Sequence, residues 1–217
     1  MNIQKFDWKI KCVVYDCDGV LFDSLEANGR LYNDLCAQLG RAPLNQEELK
    51  YVHSHTVFES IRCIAGEDQT LEKKGLELLK QIDLREYIKY LKMEPNLLQT
   101  LSALKEKGTL RAVNTNRTTS MKYIMERFDL WPYFDMVVTA LDVKNPKPHP
   151  ESIEKIATAL KLNKDEIVFI GDSEIDKQTA QSARVRFIAY KNKEISNGIL
   201  ISDHLELLKL VGNGKSS

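Results

Sequence analysis

Residues 10–24 read IKCVVYDCDGVLFDS. The apolar run Ile10–Tyr15 stops abruptly at Asp16, and its length and β-branched content suit a buried strand. The residues that follow would then sit at the strand's carboxyl end. In an extended chain, side chains two apart share a face, so Asp16 and Asp18 can point at one spot while Cys17 turns away. Two carboxylates about 4 Å apart repel by about 4 kcal/mol at an effective dielectric of about 20. Such a pair is kept where a cation or a shared proton relieves it. Gly19 permits an unusual turn or a close ligand approach just beyond the pair. Two solvated loop aspartates are the plainer alternative.

Outward from this stretch, strands alternate with helices, with one interruption. Lys9–Tyr15 is the first predicted strand. From Ser24 to about Leu91 no good strand occurs; apolar residues recur at helical spacing instead, as Leu31, Leu35 and Leu39 and again as Leu71, Leu78, Leu79 and Ile82. Gly40, Pro43 and Gly66 punctuate this segment. Beyond Pro95 the pattern predicts helix over Asn96–Lys107, strand over Leu110–Asn114, helix over Thr118–Phe128 and strand over Met136–Thr139. Helix over Pro150–Leu160, strand over Glu166–Ile170, helix over Asp176–Ala183 and strand over Val185–Tyr190 follow. A short strand at Gly198–Ile201 and a helix to Val211 close the series, and the polar tail Gly212–Ser217 is expected to fray. Strands alternating with helices of this length imply βαβ units and a parallel sheet. Ligands of such sheets bind beyond the carboxyl ends of the strands, so those ends are the places to inspect.

Three further ends carry polar groups. Val113-Asn114-Thr115-Asn116 puts a hydroxyl just before the free N–H groups of a helix start, a seat for an anion, although Thr-Asn is also an ordinary helix cap. In Asn145-Pro146-Lys147-Pro148-His149-Pro150 the prolines stiffen the backbone of Lys147, a cation able to grip a phosphate oxygen or simply to be solvated. Phe169-Ile170-Gly171-Asp172-Ser173-Glu174-Ile175-Asp176 is again a buried strand running into Gly and Asp, with Asp176 in the first turn of a helix, where the dipole favours it. Together Asp16, Asp18 and Asp172, with Asp176 behind them, form an all-oxygen donor set that suits Mg2+. Thr115 and Lys147 bracket the same spot, and the constellation suits phosphoryl transfer.

Composition narrows the partners. The chain has 217 residues, with 31 Lys and Arg balanced by 31 Asp and Glu. That balance argues against nucleic acid, whose phosphates require a cationic excess, and against a polybasic membrane-surface binder. Cys12, Cys17, Cys36 and Cys63 form no CxxC pair and read as reduced thiols. The start MNIQKFDWKIKCVVYD lacks the apolar core of a secretory leader, and no apolar run approaches the roughly 20 residues of a membrane span. A cytoplasmic location is expected, and the glycosylation pattern Asn116-Arg117-Thr118 is taken as a chance match.

DCDGVLFDS, the strand ending in Thr115-Asn116, the PKPHP lysine and GDSEID resemble, in that order, the four motifs of the haloacid dehalogenase superfamily, from about Lys11 to Tyr190. The insert resembles the α-helical cap of its phosphoglycolate phosphatase-like and β-phosphoglucomutase-like subgroup. The resemblance implies an α/β fold, a Rossmann-like three-layer core with a parallel sheet (residues 1–23 and 92–217), and an inserted helical cap (24–91). It implies Asp16 as nucleophile and Mg2+ ligand, and Asp18 as general acid/base with its carbonyl on the metal. Thr115, Asn116 and Lys147 would bind phosphate, Asp172 would ligate the metal and Asp176 would support its shell. The expected partner is a small phosphorylated metabolite, and a monomer or a homodimer fits.

Within the superfamily resemblance several activities compete. A dehalogenase is disfavoured because that branch generally lacks a carboxylate at the position of Asp18. A phosphomutase shares all four motifs. A phosphonoacetaldehyde hydrolase uses a cap lysine, for which Lys50, Lys73, Lys74, Lys80 and Lys89 are available. A receiver-like signalling domain or an inactive binding module is the non-enzymatic alternative; receivers are shorter and lack the insert. For substrate contacts the insert offers His53, His55 and Arg62, and Arg117 follows the Thr-Asn motif. His53 and His55 lack a carboxylate at metal-ligand spacing, and a surface turn is their plainer reading.

Overall fold

The computed structural model describes residues 9–211; the tail 212–217 and the first half of the stretch read for a leader lie outside the described residues. In chain order the elements are β1 (Cys12–Tyr15), β2 (Phe22–Asp23), α1 (Leu25–Gln38), α2 (Gln46–Ser54), α3 (Val57–Ala65), α4 (Gln69–Gln81), α5 (Arg85–Ile88) and β3 (Lys92–Met93). There follow α6 (Leu97–Glu106), β4 (Leu110–Asn114), α7 (Ser120–Arg127), β5 (Met136–Val138), α8 (Glu151–Ala159), β6 (Ile167–Gly171), α9 (Glu174–Ala183), β7 (Arg186–Tyr190), β8 (Leu200–Ile201) and α10 (Leu207–Leu210). Short 3-10 turns occupy Trp131–Tyr133, Ala140–Asp142, Lys164–Glu166 and His204–Glu206. The first strand is shorter than the predicted Lys9–Tyr15, and Pro150 stands at the cap position of α8 rather than inside it. The strand pair β2–β3 was not anticipated, because two residues per strand show no periodicity.

The chain divides into two compact units, residues 1–22 with 93–217, and residues 23–92. The first is an α/β unit built on a six-stranded parallel sheet in the order β5-β4-β1-β6-β7-β8. Its central strands are apolar throughout: every residue of β1 and β6 is buried, as expected where helices cover both faces. Cys12 and Val14 of β1, with Ile167 and Phe169 of β6, pack with Ile153 and Ile156 of α8 and Ala180 and Ala183 of α9. Tyr15 points to the other face, where its ring meets His204 and Phe134.

The order reverses around β1: the chain passes to β4 and β5 on one side, then to β6, β7 and β8 on the other. Tyr15 is level with both Val113 and Ile170. One step further on, Asp16, Asn114 and Gly171 leave the sheet side by side, at the switch point where such folds hold ligands.

The second unit is helical. Tyr32, Leu35, Cys36, Leu44, Val52, Ile61 and Ile64 form its core, joined by Leu39, Leu76, Leu79 and Ile82. Asn45 with Glu48 and Thr56 with Glu59 make reciprocal capping boxes at the starts of α2 and α3, and the second marks the break between the two short helices. All four cysteines are free thiols. Among the described residues no helix is long and apolar enough to cross a membrane.

Candidate active site

The switch point of the α/β unit gathers Asp16, Asp18, Lys147, Asp172 and Asp176. Lys147 is the centre: its Nζ lies 2.8 Å from Asp16 Oδ1 and donates to Asp176 Oδ1 at 2.6 Å. The lysine is only 5% exposed, so its charge has little water to screen it. Burial opposes that charge, but Asp16 and Asp176 outweigh it and raise the lysine's pKa, so Lys147 is a fixed cation. Its backbone is gripped from β4's end. Lys147 N–H donates to Asn116 Oδ1 at 3.1 Å, and Asn116 Nδ2 donates to Lys147 O at 3.0 Å. Asn116, expected at phosphate, therefore uses its side-chain amide to mount the lysine.

Asp16, Asp172 and Asp176 each offer one oxygen, and these oxygens lie within 4.8 Å of one another. Burial, then the neighbouring Asp176, push Asp16 up to about 7 despite Lys147. Burial and the same acidic neighbours raise Asp172 well above the usual carboxylate range. Against three carboxylates Lys147 supplies one positive charge. A hard, all-oxygen donor set with excess negative charge is what Mg2+ requires, so the residues fit that ion. Asp176 enters the cluster itself, beyond the supporting position implied by resemblance, yet both its oxygens are engaged. Oδ1 accepts from Lys147, and Oδ2 accepts from the Ser173 hydroxyl at 2.6 Å and from Ser173 N–H at 3.2 Å.

Two glycines make the crowding possible. A Cβ on Gly171 would lie 2.2 Å from Asp176 Cβ. Gly19 has φ +70, and a Cβ there would lie 1.9 Å from Asp172 Oδ2. Ser173 and Asn192 also hold the cluster, the first through a local contact and the second through a tertiary one. Ser173 is the N-cap of α9 and boxes with Asp176, a pattern legible in Ser-x-x-Asp. Asn192 Nδ2 donates to the carbonyl of Asp172 at 2.8 Å, with no local sequence signal.

Thr115 is buried directly after β4. Its N–H donates to Val138 O at 3.0 Å, and its Oγ1 accepts from Arg117 N–H at 3.1 Å. Asp18 takes a different partner from the other acids: Arg117 Nε and Nη2 donate to its Oδ2 and Oδ1 at 2.7 and 2.6 Å. Its carboxylate is thus not among the clustered oxygens. Cys17, between the two acids, is buried, and burial pushes its thiol up, so it stays protonated.

The remaining expected residues lie in the helical unit. His53 is in the last turn of α2, with Nδ1 3.3 Å from Asn28 Nδ2. His55 is at the break between α2 and α3; its ring stacks on Tyr51 at 3.7 Å and its Nδ1 bonds Tyr51 O at 2.8 Å. Arg62 is mostly exposed and pairs with Glu72 at 3.5 Å.

At the reversal around β1 the parallel sheet brings together three acids and a buried lysine. A family model described as haloacid dehalogenase-like hydrolase matches residues 13–190. The chain belongs to this family and is an enzyme of that hydrolase class. It is similar to a phosphoglycolate phosphatase of Rhodobacter capsulatus, with 28% identity covering 82% of this chain and 83% of that one. A candidate pyrophosphatase, PpaX, of Caldanaerobacter subterraneus is 30% identical, covering 94% and 95%. Among solved structures, a haloacid dehalogenase-superfamily hydrolase of subfamily IA, variant 1, from Geobacter sulfurreducens aligns with a TM-score of 0.79 and 34% identity, covering 97% of this chain and all of that one.

Proposed function

We propose that the protein is a Mg2+-dependent phosphatase that hydrolyses a small-molecule phosphate monoester through an aspartyl-phosphate on Asp16. The observation that carries this reading is Lys147 held between Asp16 and Asp176 beside Asp172, at the sheet's switch point. The phosphatase and pyrophosphatase named among its relatives support it. Asp16 and Asp172 would hold the ion, together with the main-chain carbonyl of Asp18. When bound, Mg2+ would neutralise phosphoryl oxygens that otherwise repel a carboxylate nucleophile.

An Asp16 oxygen attacks phosphorus in line, and the bond to the leaving oxygen breaks. Asp18 donates a proton to that oxygen. In the second step Asp18 takes a proton from water, whose oxygen attacks phosphorus and releases Asp16 with inorganic phosphate. Lys147 holds a phosphoryl oxygen throughout, and the Thr115 hydroxyl donates to another. Asp176 and Ser173 keep Lys147 and the metal site in register. The helical unit, residues 24–91, acts as a cap that admits substrate and excludes water. His53, His55 and Arg62 are the residues to vary for leaving-group preference.

The test is phosphate release from a panel of phosphoglycolate, sugar phosphates, nucleotides and pyrophosphate with Mg2+, by wild type and by Asp16→Asn. Turnover by wild type and loss in the variant is the expected result. Comparable turnover by the variant would remove Asp16 as nucleophile, and a sugar phosphate isomerised without phosphate release would make the enzyme a mutase.

A further inference from the structure

Arg117 and Asp18, 99 residues apart, meet in a two-point fork with Nε and Nη2 each on a different carboxylate oxygen. The pair is only slightly exposed, 16% for the arginine and 28% for the aspartate. Arg117 is itself firmly mounted. Its N–H donates to Thr115 Oγ1 at 3.1 Å, its carbonyl accepts from Ala140 N–H at 3.1 Å, and Nη1 donates to Ser120 Oγ at 3.4 Å. The planar guanidinium fixes two atoms of the carboxylate at once, and with them the plane of the group. A single-point contact would leave the carboxylate free to rotate about its last torsion.

The plane of a carboxyl group sets the directions of its lone pairs, and so which of them can face a leaving oxygen or a water. We infer that Arg117 is a positioning residue for the proton-transfer group: its fork sets the plane of the Asp18 carboxyl group for both halves of the reaction. The inference rests on the reading of Asp18 as general acid/base. It differs from a direct grip on the substrate, because the donors Nε and Nη2 are already committed to Asp18.

The two halves of the reaction depend on Asp18 differently. In the first, the bond from phosphorus to the leaving oxygen breaks, that from phosphorus to Asp16 forms, and a proton passes from Asp18 to the leaving oxygen. An alkoxide needs this proton; a dinitrophenolate does not. In the second, the bond from phosphorus to water oxygen forms, that to Asp16 breaks, and a proton passes from water to Asp18, whatever the leaving group was. Loss of the fork should therefore slow both halves for an alkyl phosphate, but only the second half for dinitrophenyl phosphate.

The experiment compares wild type, Arg117→Lys, which keeps the charge but loses the fork, and Arg117→Ala, on an alkyl phosphate and on 2,4-dinitrophenyl phosphate with Mg2+. Circular dichroism and the thermal midpoint check folding, and Arg117→Lys carries the test if the alanine variant does not fold. For the alkyl ester kcat should fall roughly 10- to 100-fold in both variants, with KM within about twofold. For the aryl ester a pre-steady-state burst of phenolate approaching one per site should appear in the variants. A rise in KM with kcat unchanged would make Arg117 a substrate-binding residue. Equal losses on both esters without a burst would make its role structural, and unchanged kinetics would remove it from the reaction; each overturns the inference while leaving the phosphatase reading intact. No turnover by wild type on any ester would overturn the phosphatase reading and the inference with it.

Discussion

The side-chain amide of Asn116 holds the main chain of Lys147 at both its N–H and its carbonyl, at 3.1 and 3.0 Å. The loop after β4 thereby places the cation contributed by the loop before α8. Lys147 also touches Asp16 and Asp176, so a small displacement of its backbone moves a charge relative to two acids at once. Asn116→Ala should lower kcat by roughly 10- to 100-fold, since misplacement by about 1 Å costs on that order. Asn116→Asp, which keeps the acceptor and loses the donor, should fall between wild type and alanine. Steady-state kinetics on the best substrate checks both.

Metal dependence follows from the three gathered carboxylates. A chelator should abolish activity, and Mg2+ should restore it. Asp172→Asn removes one of the mutually repelling acids. Without Mg2+ this variant should melt higher than wild type, by a few degrees if about 1 kcal/mol of repulsion is relieved. It should also lose the upward shift in melting temperature that Mg2+ gives wild type. Thermal melts with and without Mg2+ separate the two effects.

Gly171 accommodates the Asp176 side chain against its own Cα. A methyl group there would meet Asp176 Cβ at 2.2 Å and Cγ at 2.6 Å. Gly171→Ala should therefore cost about 1–3 kcal/mol of stability through overpacking. It should also displace Asp176 from Lys147 and remove most activity. Denaturant unfolding and turnover measured on the same preparation test the pairing of the two losses.

His204 is fully buried, with Nε2 2.9 Å from the carbonyl of Val20 and its ring stacked on Tyr190 at 4.6 Å. Burial lowers its pKa, although Glu94 and Asp203 act in the opposite sense. A depressed folded-state pKa means that the unfolded chain takes up the proton first as pH falls. The contribution of neutral His204 is therefore present above about 6.5 and is lost as pH drops through that value toward the folded-state pKa. Urea unfolding between pH 7.5 and 5.5 should show wild type losing more stability than His204→Gln.

The sequence alone was enough for the alternation of strands and helices, because full burial on both faces writes β1 and β6 as unbroken apolar runs ended by Asp16 and Gly171. It was enough for three strand ends, since Asp16, Thr115 and Asp172 each follow their strand directly and the strand's end dictates where they emerge; Lys147 instead lies well past β5, in the loop before α8. It also foretold a helical segment between the first two motifs. Legibility failed where contact spans the chain. Nothing local distinguishes Asn192 from any loop asparagine or marks it as the residue that holds Asp172. The Asn116 amide reads as a phosphate donor until Lys147 is brought beside it. Arg117 reads as a substrate contact until the sheet sets β4 next to β1 and its fork closes on Asp18. Local patterns record burial and backbone conformation, which act over a few residues. The mounting of charged groups depends on which strands are neighbours, and that was decided only when the tertiary structure set the order around β1.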